Sequence, residues 1–210
     1  MALTKPFDTH CDEYDAWFDR HHDLYEAELD AIRRLMPPPP TRMLEVGVGS
    51  GKFAVPLGID IGIEPSKTMV TRAYQKGIRV CRAGAEKLPF SDGVFDCVLM
   101  VTTICFLDDV QEAFTEIFRV LKPQGCCLIG FVDKDSELGK IYVEKQKTSI
   151  FYHHAVFYSA RDVGAVIRNA GFGNVVYLQT LLPGEFNQQV RNGFGDGGFV
   201  VARGTKGRFR

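Results

Sequence analysis

From residue 12 to residue 36, apolar and aromatic side chains recur every three or four positions: Tyr14, Trp17, Phe18, His21, Tyr25, Leu29, Ile32 and Leu35. Asp15, Asp19, Glu26, Asp30 and Arg33 fall on the other side. This is the period of an amphipathic helix, and it predicts one continuous helix over 12–36. Pro37–Pro40 ends it, because proline has no N–H to donate and its ring blocks the preceding turn. The prolines mark a stiff boundary between an N-terminal arm and the main body.

Beyond them the pattern changes. Met43–Val46, Ile59–Ile63, Ile78–Cys81, Phe95–Val101 and Cys126–Val132 are short apolar runs that read as strands. Helical stretches separate them. Ser66 is placed to cap a helix carrying Met69, Val70, Ala73 and Tyr74, with Gly77 closing it. Asp109 caps another, with Val110, Ala113, Phe114, Ile117, Phe118 and Leu121 inward, and Lys122–Gly125 turns the chain. Strands apolar on both faces, alternating with helices, predict an α/β fold whose parallel sheet is covered on both sides. Residues 133–158 break the rhythm with a polar, aromatic stretch. Ser159 then caps the helix Arg161–Ala170, with Asp162 at the reciprocal position and Gly171 at its end. Asn174–Leu181 and Gly198–Arg203 read as the last two strands.

Charge and composition exclude several classes of function. A formal charge of −1 over 210 residues argues against nucleic acid or a polybasic membrane surface as partner. No stretch approaches the roughly 20 apolar residues of a membrane span, and Met1–Asp8 lacks a basic-then-apolar leader, so a cytoplasmic address is expected. The six cysteines are scattered, mostly in apolar runs, with no Cys-x-x-Cys pair. The pairs His21-His22 and His153-His154 would point about 100° apart on a helix, so no metal site is expected.

The informative segment is Leu44-Glu45-Val46-Gly47-Val48-Gly49-Ser50-Gly51-Lys52-Phe53. A buried strand runs into glycines at alternate positions and then into a helix, which suits a ligand cradle at the carboxyl end of a first strand. A phosphate-binding P-loop is disfavoured, because Val46 and Phe53 stand where it needs Gly and Ser or Thr. A dinucleotide fingerprint needs its third glycine one residue later. A plain glycine turn stays open on this motif alone. Glu64 weighs against it. It ends the second strand seventeen positions after Gly47, where a carboxylate can accept hydrogen bonds from both hydroxyls of a ribose.

With Glu45-x-Gly47-x-Gly49-x-Gly51 and Glu64 stand Ala83-Gly84-Ala85-Glu86-Lys87-Leu88-Pro89-Phe90, Phe95-Asp96-Cys97-Val98, Arg119-Val120-Leu121-Lys122-Pro123-Gln124-Gly125 and Ala170-Gly171-Phe172. Over about residues 41–205 this order resembles the class I S-adenosylmethionine-dependent methyltransferases. Within them it is similar to the type-11 branch of small bacterial and archaeal enzymes related to the quinone-biosynthesis methyltransferases. The resemblance implies a doubly wound, Rossmann-like, seven-stranded, mainly parallel sheet with an antiparallel last strand and helices on both faces. It implies a single domain over 1–210, with 1–40 as a helical arm or lid, 41–132 and 159–205 as the cofactor core and 133–158 as a substrate-side insert.

The cofactor implied is S-adenosylmethionine, leaving as S-adenosylhomocysteine, and the reaction is methyl transfer to a small-molecule O, N, S or C nucleophile. Glu45, Gly47, Gly49, Ser50 and Gly51 would serve the methionine part, Glu64 the ribose, and Pro65, Ser66, Ala85 and Glu86 the adenine. Met100, Val101 and Thr102 would lie near the sulfonium. Tyr14, Trp17, Phe18, Cys105 and Phe106 would line the acceptor pocket. His153, His154 and Tyr14 are the candidates for a catalytic base. Two departures stand out: Gly84 replaces the branch's usual Asp, and the short span from Gly51 to Glu64, with Pro56 inside it, predicts a clipped first crossover helix. A non-catalytic domain that binds the same cofactor is the alternative reading, ahead of a nicotinamide oxidoreductase.

Overall fold

The computed structural model describes residues 4–39, 41–184 and 189–207. Met1–Leu3 and Pro40, used in the leader and boundary arguments, lie outside the described residues. The arm is three helices rather than one: α1 (Lys5–Thr9), α2 (Cys11–Arg20) and α3 (His22–Leu35). The breaks fall at His10 and His21, whose backbones leave helical geometry (φ −115° and −120°) while the apolar period continues across them. Breaking at His21 frees the two segments to serve different surfaces. Leu29 and Ile32 of α3 are fully buried against the sheet, whereas Tyr14 and Trp17 of α2 stay half-buried.

The core follows as β1 (Met43–Val46), α4 (Ala54–Leu57), β2 (Ile61–Ile63), α5 (Lys67–Gln75), β3 (Arg79–Cys81), β4 (Phe95–Val101), α6 (Val110–Val120) and β5 (Leu121–Val132). After it come α7 (Glu137–Lys145), α8 (Ala160–Asn169), β6 (Phe172–Thr180), β7 (Arg191–Asn192) and β8 (Phe199–Lys206). The strands form one sheet in the order β3-β2-β1-β4-β5-β8-β6-β7. Strands β1 to β5 pair in parallel, and β8 runs antiparallel between β5 and β6. The sheet has eight strands instead of seven, because the exposed two-residue β7 adds to the edge.

Side-chain alternation along β4 and β5 separates two cores. Val98, Met100, Cys127, Ile129 and Phe131 face α6 and α8, packing on Phe114, Ile117, Val163 and Ile167. Cys97, Leu99, Val101, Cys126 and Leu128 face the arm and α4. The expected caps are present: Ser66 Oγ accepts from Met69 N–H, Asp109 from Glu112 N–H, and Ser159 and Asp162 form a reciprocal box. Crossover helix α4 is a single turn closed by Gly58 at φ +69°, as the short span predicts. Lys122–Gly125 bulges out of β5 between the Phe95–Leu121 and Cys97–Cys126 pairings. No helix among the described residues is long and apolar enough to cross a membrane.

Candidate active site

Where β1 ends, the amides of Gly47 and Val48 both donate to the Ile63 carbonyl (2.9 and 3.0 Å), tying the glycine loop to the end of β2. Gly47 and Gly49 adopt φ +72° and +52° and present bare backbone to a cavity of about 380 Å³. A Cβ on Gly47 would lie 2.4 Å from the Thr103 side chain, so only glycine fits. Gly51 is a glycine for another reason: its Cβ would strike Ile78 Cδ1 at 2.5 Å, away from the cavity. Ser50 is fully buried and its hydroxyl is bound to Asp15. Of the loop residues expected at the ligand, Gly47 and Gly49 line the cavity, and Ser50 and Gly51 support the loop from behind.

Glu64 lines the same cavity. Its Oε2 accepts the Gly49 N–H at 3.0 Å and its Oε1 the Ser66 N–H at 2.9 Å. Burial raises its pKa, and the two amide bonds oppose that rise. Spare lone pairs on both oxygens remain for a ligand. Glu45 lies beneath the loop, 1% exposed, with Oε2 unpartnered among the described residues. Burial, together with the charge of Glu64, pushes Glu45 well above the carboxylate range. Ser66 is spent on capping α5 and does not reach the cavity.

Pro65, Ala83, Gly84, Ala85, Glu86 and Leu107 form one rim. Arg119 holds this rim in place by donating to the carbonyls of Leu88 (3.0 Å) and Phe90 (2.8 Å). Glu86 Oε1 accepts from Asp108 N–H at 3.0 Å, and Oε2 stands 2.9 Å from where a Cβ of residue 84 would be. The carboxylate of Glu86 therefore reaches the space that a side chain at position 84 would enter. At the end of β4, Val101, Thr102 and Thr103 form the floor, with Thr102 in the left-handed region at φ +47°. For a β-branched residue that conformation costs about 1 kcal/mol or more. Met100 points to the opposite face of the sheet and is fully buried in the α6–α8 core, so it cannot touch a ligand here.

The roof is aromatic. Tyr14, Trp17 and Phe18 of α2 and Phe106 line the cavity as expected, joined by Phe7 and by Tyr142, Phe151 and Tyr152 of the insert. Phe7 bridges across it, 5.1 Å from the Phe106 ring and 5.5 Å from Phe151. The arm is pinned by charge. Asp8 accepts from Ser66 Oγ at 2.6 Å and from Thr68 N–H at 3.1 Å, and Asp15 pairs with Arg72 at 2.9 Å. Burial raises the Tyr14 hydroxyl well above its ordinary range, which makes it a donor and not a base.

Three other expected residues do not reach the cavity. Cys105 is buried, its thiol lies 3.5 Å from the Thr102 carbonyl, and burial pushes its pKa up to about 12, so it packs and does not react. His153 and His154 are exposed on the outer surface, with His153 Nδ1 3.0 Å from the Lys147 carbonyl. Among the lining residues that sequence reasoning did not single out, one is a buried carboxyl. Glu28, 5% exposed, lines the cavity with no hydrogen bond or ion pair among the described residues, and burial lifts its pKa to about 8. The signal was present: Glu28 lies three residues after Tyr25 and four before Ile32, on the apolar stripe of α3.

Comparison with known proteins agrees with this geometry. The family model for a methyltransferase domain matches residues 44–129. An uncharacterized protein of Methanocaldococcus jannaschii is 41% identical, over 95% of this chain and 98% of its own. A crystal structure of a SAM-dependent methyltransferase from Thermotoga maritima, titled a possible histamine N-methyltransferase, superposes with a TM-score of 0.93 at 43% identity, covering 97% of this chain and all of that one. A Haemonchus contortus N-methyltransferase, solved with phosphomonomethylethanolamine and S-adenosylhomocysteine, shares the fold (TM-score 0.64, 18% identity, 87% of this chain and 53% of that one). The loop, the acidic strand end and these likenesses coincide on one segment of the chain, which belongs to the class I S-adenosylmethionine-dependent methyltransferases.

Proposed function

We propose that this protein methylates a small molecule held between the glycine loop and the aromatic arm. The observation that carries this reading is Glu64, a cavity-lining carboxylate fixed by two backbone N–H groups directly beside the bare Gly47–Gly49 backbone. These residues fit S-adenosylmethionine. Glu64 offers lone pairs to the ribose hydroxyls, Gly47 and Gly49 let the methionine part approach the backbone, and Pro65, Ala85 and the Oε2 of Glu86 frame the adenine. In this reading Glu86 takes over the amine contact that Gly84 cannot make. Glu45 supports the loop from below as a neutral carboxyl. The same Ala83–Phe90 stretch supports placement near the quinone-biosynthesis branch.

When bound, S-adenosylmethionine supplies an electrophilic methyl on a sulfonium, so the protein's task is alignment and dryness. Thr102 and Val101 set the floor beneath the reacting centre. Phe7, Tyr14, Trp17, Phe106 and Tyr152 exclude water above it. The arm 1–40 and the insert 133–158 supply that roof together with Phe106, and 41–132 with 159–205 supply the cofactor core. A cavity of about 380 Å³ falls within the roughly 300–1,000 Å³ of small-molecule sites.

The test is calorimetry of the full chain with S-adenosylhomocysteine and with NAD, followed by a turnover screen. Tight S-adenosylhomocysteine binding that weakens by roughly tenfold or more in Glu64→Ala is expected. Binding of NAD alone would overturn the reading. Cofactor binding without turnover on any acceptor would favour a regulatory domain.

A further inference from the structure

Glu28 presents a problem that the methyl-transfer reading leaves unsolved. A carboxyl buried on the apolar stripe of a helix costs several kcal/mol unless something pairs with it. Here nothing does among the described residues, and no group of metal-ligating side chains surrounds it. Core packing would have placed Leu or Ala at that position. Instead Glu28 lines the cavity, whose wall also carries the hydroxyl-bearing aromatics Tyr14 from α2, Tyr142 from α7 and Tyr152 from the turn that follows it. The basic residue lining the cavity is Arg20, exposed at its edge. Glu13 also lines the cavity but is exposed; a buried carboxyl on an aromatic wall, with no ion-pair partner among the described residues, is the chemistry that recognises an organic cation.

Resting on the methyltransferase reading, we propose that the acceptor is an organic amine and that Glu28 binds its nitrogen and takes its proton. The lone pair of the free amine forms the new C–N bond with the sulfonium methyl, and the C–S electron pair stays on sulfur. The proton displaced from nitrogen moves to a Glu28 carboxylate oxygen and then to solvent. Burial supports this role, because a carboxyl lifted to about 8 is a stronger base than an exposed one and closer in affinity to an amine. Tyr14 and Tyr152, held protonated by burial, cannot replace it as the base.

The experiment measures acceptor-side binding, independently of turnover. Full-length protein saturated with S-adenosylhomocysteine is titrated with 2-phenylethylamine, benzylamine and cyclohexylamine, each against its alcohol counterpart. At least one amine is expected to bind roughly tenfold more tightly than its alcohol. Glu28→Gln should erase that preference and leave S-adenosylhomocysteine affinity unchanged, and Glu28→Asp should keep part of it. Equal binding of amines and alcohols, no amine binding, or a preference that survives in Glu28→Gln would overturn the proposal. Failure of the wild type to bind S-adenosylhomocysteine would instead overturn the methyltransferase reading.

Discussion

Replacing Glu28 with Gln should stabilise the ligand-free protein, and by an amount that depends on pH. The folded-state pKa is raised from an ordinary 4.5 to about 8 by burial. For an acid shifted upward, the folded chain holds the proton that the unfolded chain releases. Its stability is therefore full below about pH 4.5 and falls as pH rises, until the folded carboxyl also ionises near pH 8. One unit is worth ~1.4 kcal/mol, so the complete loss is about 5 kcal/mol, of which about 3 kcal/mol is present at pH 7. Gln keeps the shape and the cavity contacts and has no such loss. At 2–4 °C per kcal/mol for a chain of this size, Glu28→Gln should melt roughly 6–12 °C higher near pH 7, with the gap closing toward pH 4.5. The other upshifted carboxyls, Glu45, Glu64 and Asp133, are common to both proteins and cancel in the difference. The cavity tyrosines Tyr14, Tyr142 and Tyr152 are raised by burial, above the range scanned. Differential scanning calorimetry from about pH 4.5 to 8.5 measures the gap directly. A gap that stays constant, or a wild type that gains on the variant as pH rises, would refute the claim that Glu28 is an unpaired buried acid.

Gly47→Ala should weaken S-adenosylhomocysteine binding far more than Gly49→Ala, because its Cβ meets Thr103 at 2.4 Å while that of Gly49 has 3.7 Å to the Tyr14 hydroxyl; equal losses by calorimetry would contradict the steric argument. Asp8→Ala removes the bonds from α1 to Ser66 and Thr68, so amide exchange in Lys5–Thr9 should accelerate while the melting point drops by only a few degrees. The His153→Ala and His154→Ala variants should turn over within about twofold of wild type, since both rings lie on the exposed surface, and a hundredfold loss would restore them as base candidates.

The sheet was legible because its strands carry a signal that survives without context. Runs such as Phe95–Val101 are apolar on both faces, and caps such as Ser66 and Asp109 act within three residues. The same double burial hid the parity of each strand. Met100 and Val101 look alike in sequence, yet alternation puts Val101 at the cavity floor and Met100 in the opposite core. The arm misled in a related way: its apolar period runs through His21 unbroken, so nothing local announces the change of direction that separates α2 from α3. The insert was legible only as a segment: 133–158 was expected on the substrate side, but which of its residues face the cavity is set by what the insert packs on, and Tyr142, Phe151 and Tyr152 emerge only in the fold.

Glu64 and Glu28 show what residue type alone leaves out. Both are buried carboxyls on the wall of one cavity. Glu64 sits at a strand end, where two converging amides hold it, offset part of its burial and favour the anion. Glu28 sits mid-helix, where backbone N–H groups are already used within the helix, so nothing offsets burial and its proton affinity rises. The first suits a fixed acceptor of ribose hydroxyl bonds. The second suits a group that exchanges a proton with whatever enters beside it. The split follows from backbone context, because a strand end has free amides to give and a helix interior has none. In the proposed reading, Glu64 at the end of β2 serves the cofactor and Glu28 on α3 serves the acceptor. On that reading one cavity needs both kinds of carboxyl, because the nucleophile must be held and relieved of its proton while the cofactor stays fixed.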